Sequence, residues 1–389
     1  MPSYISSNAN RFYIGLESAY GIVPTIGASN RIPALKLTGQ HELEVTQRKD
    51  KTGSRTFVGL PTGGRRRTSF ELRTYLTTRQ TEAPAYGPLL QSALGGTPML
   101  YAGGTVSSAD ATGKLKLSAP HGLVADQAVY SGEDVRFVAA IVDTNTVQLN
   151  APFTVIPTPG ATIGGTLTYF PATEIPSVSI FDYWSPSTAV QRILAGAAVD
   201  QLDILVNGDF HELHFRGVAQ DVLDNSSFSG GGPQQLQGFP PEPAMAGFDY
   251  TIVPGNLGQA WLGTSPSQFF TITSASVQLK NSLDTRTKEF GSNLPRAIAP
   301  GQRTVTAAFA LHGLDDTATT GLYQAARQQS PITVMFQLGE TSGQMMAANL
   351  KSVIPQVPEF DDGTNRLQWK FRASRARGTA DDELTVAFA

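Results

Sequence analysis

Five histidines and no cysteine among 389 residues leave few side chains able to move a proton or attack a carbonyl near neutral pH. The absence of cysteine removes thiol catalysis, cysteine zinc sites, disulfide frameworks and redox switching together. His211-Glu-Leu-His214 resembles a pair of metal ligands at first, but residues 212–216 alternate as a strand, which sends positions three apart to opposite faces. Ordinary polar residues of a sheet account for it. Thr112-Gly113-Lys114 is not a phosphate loop, because Ser108 stands where the pattern requires Gly and Leu115 where it requires Ser or Thr. In Gly339-Glu-Thr-Ser342-Gly343 the serine is fourth, not third as in a nucleophile elbow. Asp361-Asp362-Gly363 lacks the alternating oxygens of a calcium loop and reads as a turn. No pair of carboxylates stands out as a general acid and base. The expectation is no catalytic residue, no metal, no cofactor and no enzyme activity. Among the tryptophans Trp184, Trp261 and Trp369, the last alternates with Leu367 and Phe371, which favours a core role over a stacking platform.

What remains is charge concentrated in loops. Arg48, Lys49, Lys51, Arg55, Arg65, Arg66, Arg67 and Arg73 lie close together, opposed only by Asp50 and Glu71. The net charge of −3 nevertheless argues against a dedicated nucleic-acid binder, whose domains are usually basic. Only 16% of residues are charged, while Thr, Val, Phe and Ile are plentiful. That composition excludes a disordered chain and suits β-structure. The first residues carry no basic start followed by an apolar stretch, so no secretory signal is expected, and no apolar run approaches the ~18 residues of a membrane span.

An internal repeat sets the domain count. Residues 177–220 align without a gap on 331–374 at an offset of 154, with Val178 on Ile332, Leu213 on Leu367 and Phe215 on Trp369. Residues 43–72 resemble 283–311 at an offset of 238 to 239, with Phe70 on Phe309 and Leu72 on Leu311. The difference of roughly 84 residues must lie between Leu90 and Ser177, which predicts an inserted module. Residues 101–171 fit, with alternation at Leu115, Leu117, Val135, Phe137, Val142, Val147 and Leu149 and turn signals at Gly122, Gly132 and Asp143. The Gly/Ser/Pro-rich stretch at 224–243 reads as a linker unsuited to a packed element.

Each copy then reads as strand, long arm, return strand, short helix and a strand pair. Leu43 and Val45 are expected inward with Phe70 and Leu72, and Glu42, Glu44 and Glu71 outward. Helix candidates fall at 86–94 and 320–327, closed by Gly95-Gly96 and Ser330-Pro331, with hairpin turns at Asn207-Gly208 and Asp361-Thr364. A β-sandwich with one packed helix accounts for the order. The arms at 47–67 and 280–303, the second carrying Arg286, Lys288, Arg296 and Arg303, exceed the length of ordinary loops. They are either solvated loops or elements that order against a neighbouring subunit. Asp315, Asp316, Asp361, Asp362, Asp381, Asp382 and Glu383 offer an acidic surface for them to meet.

The run NRFYIGLESAYGIVPT, residues 10–25, resembles the start of the major tail tube proteins of long, non-contractile phage tails. The order of elements in each copy is similar to the tail tube fold as well. The resemblance implies a mainly β chain with two tandem tail-tube-like sandwiches: residues 1–100 with 172–225, then 265–389, joined by a linker and lead-in strand at 226–264. Residues 101–171 look like a small β-barrel or Ig-like decoration. Such a chain would form trimeric, pseudo-hexameric rings stacked into a hollow tube for DNA. The arms would dock on the adjacent ring and the insert would project outward. The lumen would be polar or mildly acidic, lined by Glu42, Glu44 and Glu71. Implied partners are further copies of the chain, tape measure, tail-tip and tail-terminator proteins, and double-stranded DNA in passage, with no membrane insertion. The implied location is the virion tail, assembled in the host cytoplasm. The alternative is a tail-tip or adhesin-type virion protein that binds host glycan through the insert.

Overall fold

A computed structural model describes residues 4–44, 51–55, 64–78, 83–245 and 250–389. Arg48, Lys49 and Val45 lie outside them. The chain is mainly β, with two α-helices among the described residues, α1 (Gly87–Leu94) and α2 (Thr317–Gln328). Alternation of apolar and polar residues builds the strands, and the faces this creates are stacked in three layers.

The first layer is one antiparallel sheet of eight strands that runs through both copies. Copy one supplies Ala34–Glu44, Arg65–Tyr75, Glu212–Ala219 and Arg192–Val206, in that spatial order. Copy two continues with Ile272–Lys280, Thr304–His312, Gln368–Ala376 and Glu359–Asp361. The seam is the pairing of Arg192–Val206 with Ile272–Lys280, from Gln201↔Lys280 to Val206↔Ala275. One face of this sheet, carrying Leu72, Phe215, Leu202, Leu279, Phe309 and Phe371, is buried. Burying each such side chain contributes about 1.5–3 kcal/mol before the entropy of ordering it.

The second layer covers that face. In copy one it is Asn10–Leu16, Val178–Trp184 and the first half of Arg192–Val206; in copy two it is Gly258–Gly263, Ile332–Leu338 and Met346–Ile354. Thus the lead-in strand Gly258–Gly263 is the counterpart of Asn10–Leu16. Both helices bury one side in the same core, which is continuous from one copy to the other. α1 ends at Gly95, whose φ of +100° favours glycine. α2 starts on Asp316, whose side chain accepts the Thr319 amide at 2.6 Å.

The third layer differs between the copies. The outer face of the copy-one second layer, with Tyr13, Phe181, Tyr183, Ile193 and Ala195, is covered by Leu236 and Phe239 from the stretch read as an unpacked linker. Glu242 receives hydrogen bonds from Arg11 and Tyr13, and Tyr183 donates to the Pro240 carbonyl at 3.1 Å. Its apolar residues are few: Leu236 and Phe239 meet the sheet, and Phe228 packs edge-on against Phe239. The corresponding face of copy two is covered by the inserted module, whose six-stranded sheet runs between Gly104–Ala109 and Thr162–Ile163. Leu115, Leu117, Val147 and Leu149 form the module's own core. Val135 and Phe137, predicted to join that core, point out of it onto Trp261, Met335 and Ala347 of copy two. Val142, also expected inward, is 52% exposed beside the turn at Asp143. The stalks of the module, Met99–Tyr101 and Thr166–Tyr169, pair into the copy-two sheet through Thr385–Phe388.

The duplication carries a two-residue correction. A β-bulge interrupts the pairing at Ala34/Lys36 opposite Thr74/Arg73, and another at Ile272/Ser274 opposite Leu311/Ala310. Superposing these bulges matches Leu72 with Phe309, and hence Phe215 with Phe371 and Leu213 with Trp369, at an offset of 156. The gapless offset of 154 survives only before the hairpin at 339–345, where Val178 still matches Ile332. Leu367, assigned to Leu213 by the sequence, is 43% exposed. A slip of two leaves every side chain on its face, so alternation cannot detect it.

Candidate functional site: a polar sheet face, its edges and the arms

Among the described residues, no further layer lies over the remaining face of the eight-stranded sheet. Strand alternation puts there Thr38, Gln40, Glu42 and Glu44, opposite Glu71, Ser69, Arg67 and Arg65 in turn. His214 and Arg216 follow across Arg73 and Glu71, then Asp203 and Gln201. Copy two adds Lys280, Gln278 and Ser276, then Thr304, Thr306 and Ala308, and finally Lys370, Gln368, Glu359 and Asp361. Glu42 and Glu44 are exposed and Glu71 is half-buried on this face, the side expected for them. Leu43, expected inward, is 50% exposed, because its strand has run past the end of the core by that point.

Charge on this face is balanced, not acidic. Arg73 sits 2.7 Å from Glu71, Arg216 is 2.7 Å from Asp203 and 3.7 Å from Glu71, and Arg372 is 2.8 Å from Glu359. Lys370 pairs with Asp361, and His214 meets Glu212 at 2.8 Å. The Arg73 hydrogen bond holds the Glu71 carboxyl below its ordinary range. Across the seam, the Gln278 amide donates to Asp203 at 2.8 Å. Each of these bases thus has a carboxylate partner, within its own strand for Arg73 and His214 and across strands for Arg216, Lys370 and Arg372.

The two edges of the sheet are strands Ala34–Glu44 and Glu359–Asp361, each with one partner strand among the described residues. Pro355 and Pro358 precede the second edge and break the long strand that is continuous in copy one. Leu35 and Leu43 on one edge and Val357 and Phe360 on the other are exposed.

The second arm turns back as a two-stranded ribbon, Asp284–Thr285 with Ile298–Ala299. Glu289 holds both Arg286 and Arg296, Lys288 is exposed, and Phe290 at the tip is fully exposed. The arm lies along copy one of its own chain: the Arg66 amide donates to the Asn293 carbonyl at 2.9 Å, and the Gln220 side chain to Pro295 at 3.1 Å. Arg66 itself pairs with Asp221 at 3.1 Å, and burial pushes the Asp221 carboxyl up. Lys51 and Arg55 of the first arm are exposed.

The acidic residues do not form one surface. Asp315 and Asp316 sit at the start of α2, where Asp316 is a cap. Asp361 and Asp362 belong to the second sheet edge. Asp381 and Glu383 hold Arg303 of the same chain at 2.8 and 3.4 Å, so this arm residue already has its acidic partners. Asp382 takes Lys351 at 2.6 Å, and Lys351 reaches Asp126 of the inserted module at 3.1 Å. Burial opposes ionisation of Asp382, but hydrogen bonds from Lys351, Thr379 and Ala380 outweigh it and bring the carboxyl to about 2.

His211 and His214 are separated by the strand as expected: His211 contacts the Leu257 carbonyl at 3.1 Å and burial lowers its pKa, while His214 faces Glu212. No three His, Asp or Glu side chains converge as a metal site among the described residues. The sequence reading missed Arg136. This fully buried side chain lies 3.2 Å from Asp134 and 4.4 Å from the Trp261 ring, and clamps the inserted module to copy two. Gln259 and Gln337 of copy two bond Asp134 and the Val135 amide, both at 2.8 Å. An arginine inside an apolar run of the insert was the available signal. No protein-family model matches the chain, and no curated protein matches it in sequence.

Proposed function

We propose that the chain is a virion structural protein that polymerises as stacked trimeric, pseudo-hexameric rings into the tail tube of a long, non-contractile-tailed phage, the conduit for DNA during ejection. One observation carries the reading: a single sheet spans both copies and, among the described residues, leaves one face polar and ion-paired and both edges open. Joining such sheets edge to edge closes a barrel and removes the exposed edges. With eight strands per chain, three chains give 24 strands. At about 4.8 Å between strands that is a backbone circle roughly 37 Å across before tilt, against roughly 24 Å for two chains, a porin-sized ring whose lining side chains leave too little width for a duplex. A lumen whose bases are matched by carboxylates lets a duplex slide, because unpaired Lys and Arg would release counterions and hold the phosphates.

In this reading the inserted module stands on the outside of the tube, on the layer farthest from the polar face, and the linker caps copy one in its place. The arms are assigned to ring stacking through the exposed tip of the second arm, with Phe290 at its end. Tape measure, tail-tip and terminator proteins would be its partners in the virion, assembled in the host cytoplasm. Negative-stain microscopy of the purified chain tests the reading. Hollow filaments or stacked rings with a central channel are expected; compact, channel-less particles, with or without glycan binding, would overturn it.

A further inference from the structure

We infer that the seam between the two copies is also the template for the contact between chains, which fixes the register in which edge Ala34–Glu44 of one chain meets edge Glu359–Asp361 of another. This inference rests on the ring reading and adds the residue pairs to it. At the seam, Asp203 lies opposite Gln278 and Ile204 opposite Val277. Copy two places Glu359 where copy one has Asp203, since Glu359 pairs with Lys370 as Asp203 pairs with His214, an offset of 156 in both strands. Copy one places Gln40 where copy two has Gln278, at the offset of 238 set by the matching bulges. The same junction between two chains therefore sets Glu359 against Gln40 and Phe360 against Gly39.

The side chains suit those positions. Asp203 and Gln278 form a carboxylate–amide hydrogen bond at the seam, and Glu359 with Gln40 is the same pair of groups. Phe360 is 53% exposed in the single chain, against a nearly fully buried Ile204 in the seam. Its counterpart strand offers Gly39, where a Cβ would have only the Leu194 side chain near it, at 3.5 Å. An aromatic ring laid over a strand glycine covers backbone that the glycine leaves bare. Pro358 has no N–H, so one rung of this ladder is missing and the contact stays weaker than the covalently tethered seam. Such a contact is heterologous and closes a ring only when its rotation does, as it does for three chains in the proposed tube.

The lack of native cysteine makes the register measurable. The Asn281 amide donates to the Asp200 carbonyl at 2.7 Å, so 200/281 is a hydrogen-bonded pair and 203/278 falls between such pairs. The equivalent 359/40 pair would then have Cα atoms about 4.5 Å apart, within disulfide range. A chain with Gln40→Cys and Glu359→Cys, assembled and mildly oxidised, is expected to give linked dimers and trimers on non-reducing denaturing gels. At least ten-fold less product is expected from Gln40→Cys with Asp361→Cys, from Glu42→Cys with Glu359→Cys, or from Gln40→Cys alone. Equal or greater linkage in either slipped pair, or dimers from the single substitution, would overturn the register. If the substituted chains fail to fold, hydrogen exchange on the unsubstituted chain takes their place: amides at 37–42 and at 359–362 should gain protection together on assembly. Rings seen by microscopy without linkage or protection at these strands would overturn the inference and leave the tube reading standing, whereas absence of rings removes both.

Discussion

Arg136 has no exposed surface, and its charge is balanced by Asp134 at 3.2 Å and by the face of Trp261. Two cross-unit hydrogen bonds to Gln259 and Gln337 complete the cluster, so the module and copy two share one buried polar network. Removing the guanidinium leaves the buried Asp134 carboxylate with hydrogen bonds from Thr154 and Gln259 but no counter-charge. Arg136→Ala should therefore cost about 3–5 kcal/mol, whereas the paired replacement of Arg136 and Asp134 by apolar residues of similar size should recover much of it. Chemical denaturation of the three chains checks this, and equal stability of the single and double variants would show that the pair is not coupled. A clamp of this kind is hard to see in a sequence, because nothing in residues 134–137 says that their outer face meets Trp261, more than a hundred residues away.

Among the elements, the C-terminal segment ties three parts of the chain together. Asp382 binds Lys351 of copy two, which also binds Asp126 of the module, while Asp381 and Glu383 hold Arg303 at the end of the second arm. Asp382 titrates near 2 in the folded chain against an ordinary 3.8. The folded state thus binds the proton less tightly than the unfolded one, so the stabilisation is complete above pH 4 and is lost as pH falls from about 4 to 2. Asp382→Asn should flatten that part of the acid limb and lower stability at pH 6. Urea midpoints at pH 6, 4 and 3 measure it; an unchanged acid slope in the variant would exclude Asp382 as its source. The turns, the two helices and the alternating faces are legible in the sequence because each depends on residues a few positions apart, such as the closing Gly95; the Asp316 cap, which starts α2 three residues ahead of the expected Thr320, is not, because its carboxylate reads equally as surface charge. The packed linker was not, since Leu236, Phe239 and Glu242 gain meaning only from the sheet they cover.

At the scale of the whole molecule, the polar face decides how the proposed tube treats DNA. Arg65 and Arg67 lie directly opposite Glu44 and Glu42, so removing these acids leaves cations facing the lumen in every ring. Glu42→Lys combined with Glu44→Lys should leave filaments intact and slow ejection several-fold, with the slowing relieved by added salt as phosphate contacts are screened. Ejection followed by fluorescence at low and high salt tests it; unchanged kinetics would move the lumen to another face. Glu42, Glu44 and Glu71 could be chosen from alternation alone. Their arginine neighbours on the same face could not, because Arg65 and Arg67 belong in sequence to the basic run of the arm, and only in the fold does the strand Arg65–Tyr75 extend through them.

Local chemistry in the sequence was enough to establish the β character, the absence of thiol chemistry, the internal repeat and the existence of an insert. These follow from composition and from a period of two, which survives in any tertiary setting. The exact correspondence of the copies, the seating of the insert on copy two, and the pairing of Arg303 with acids of its own chain depended on the folded structure. Alternation is unchanged by a two-residue slip, and neither charge nor hydropathy records which distant face or carboxylate a side chain will meet.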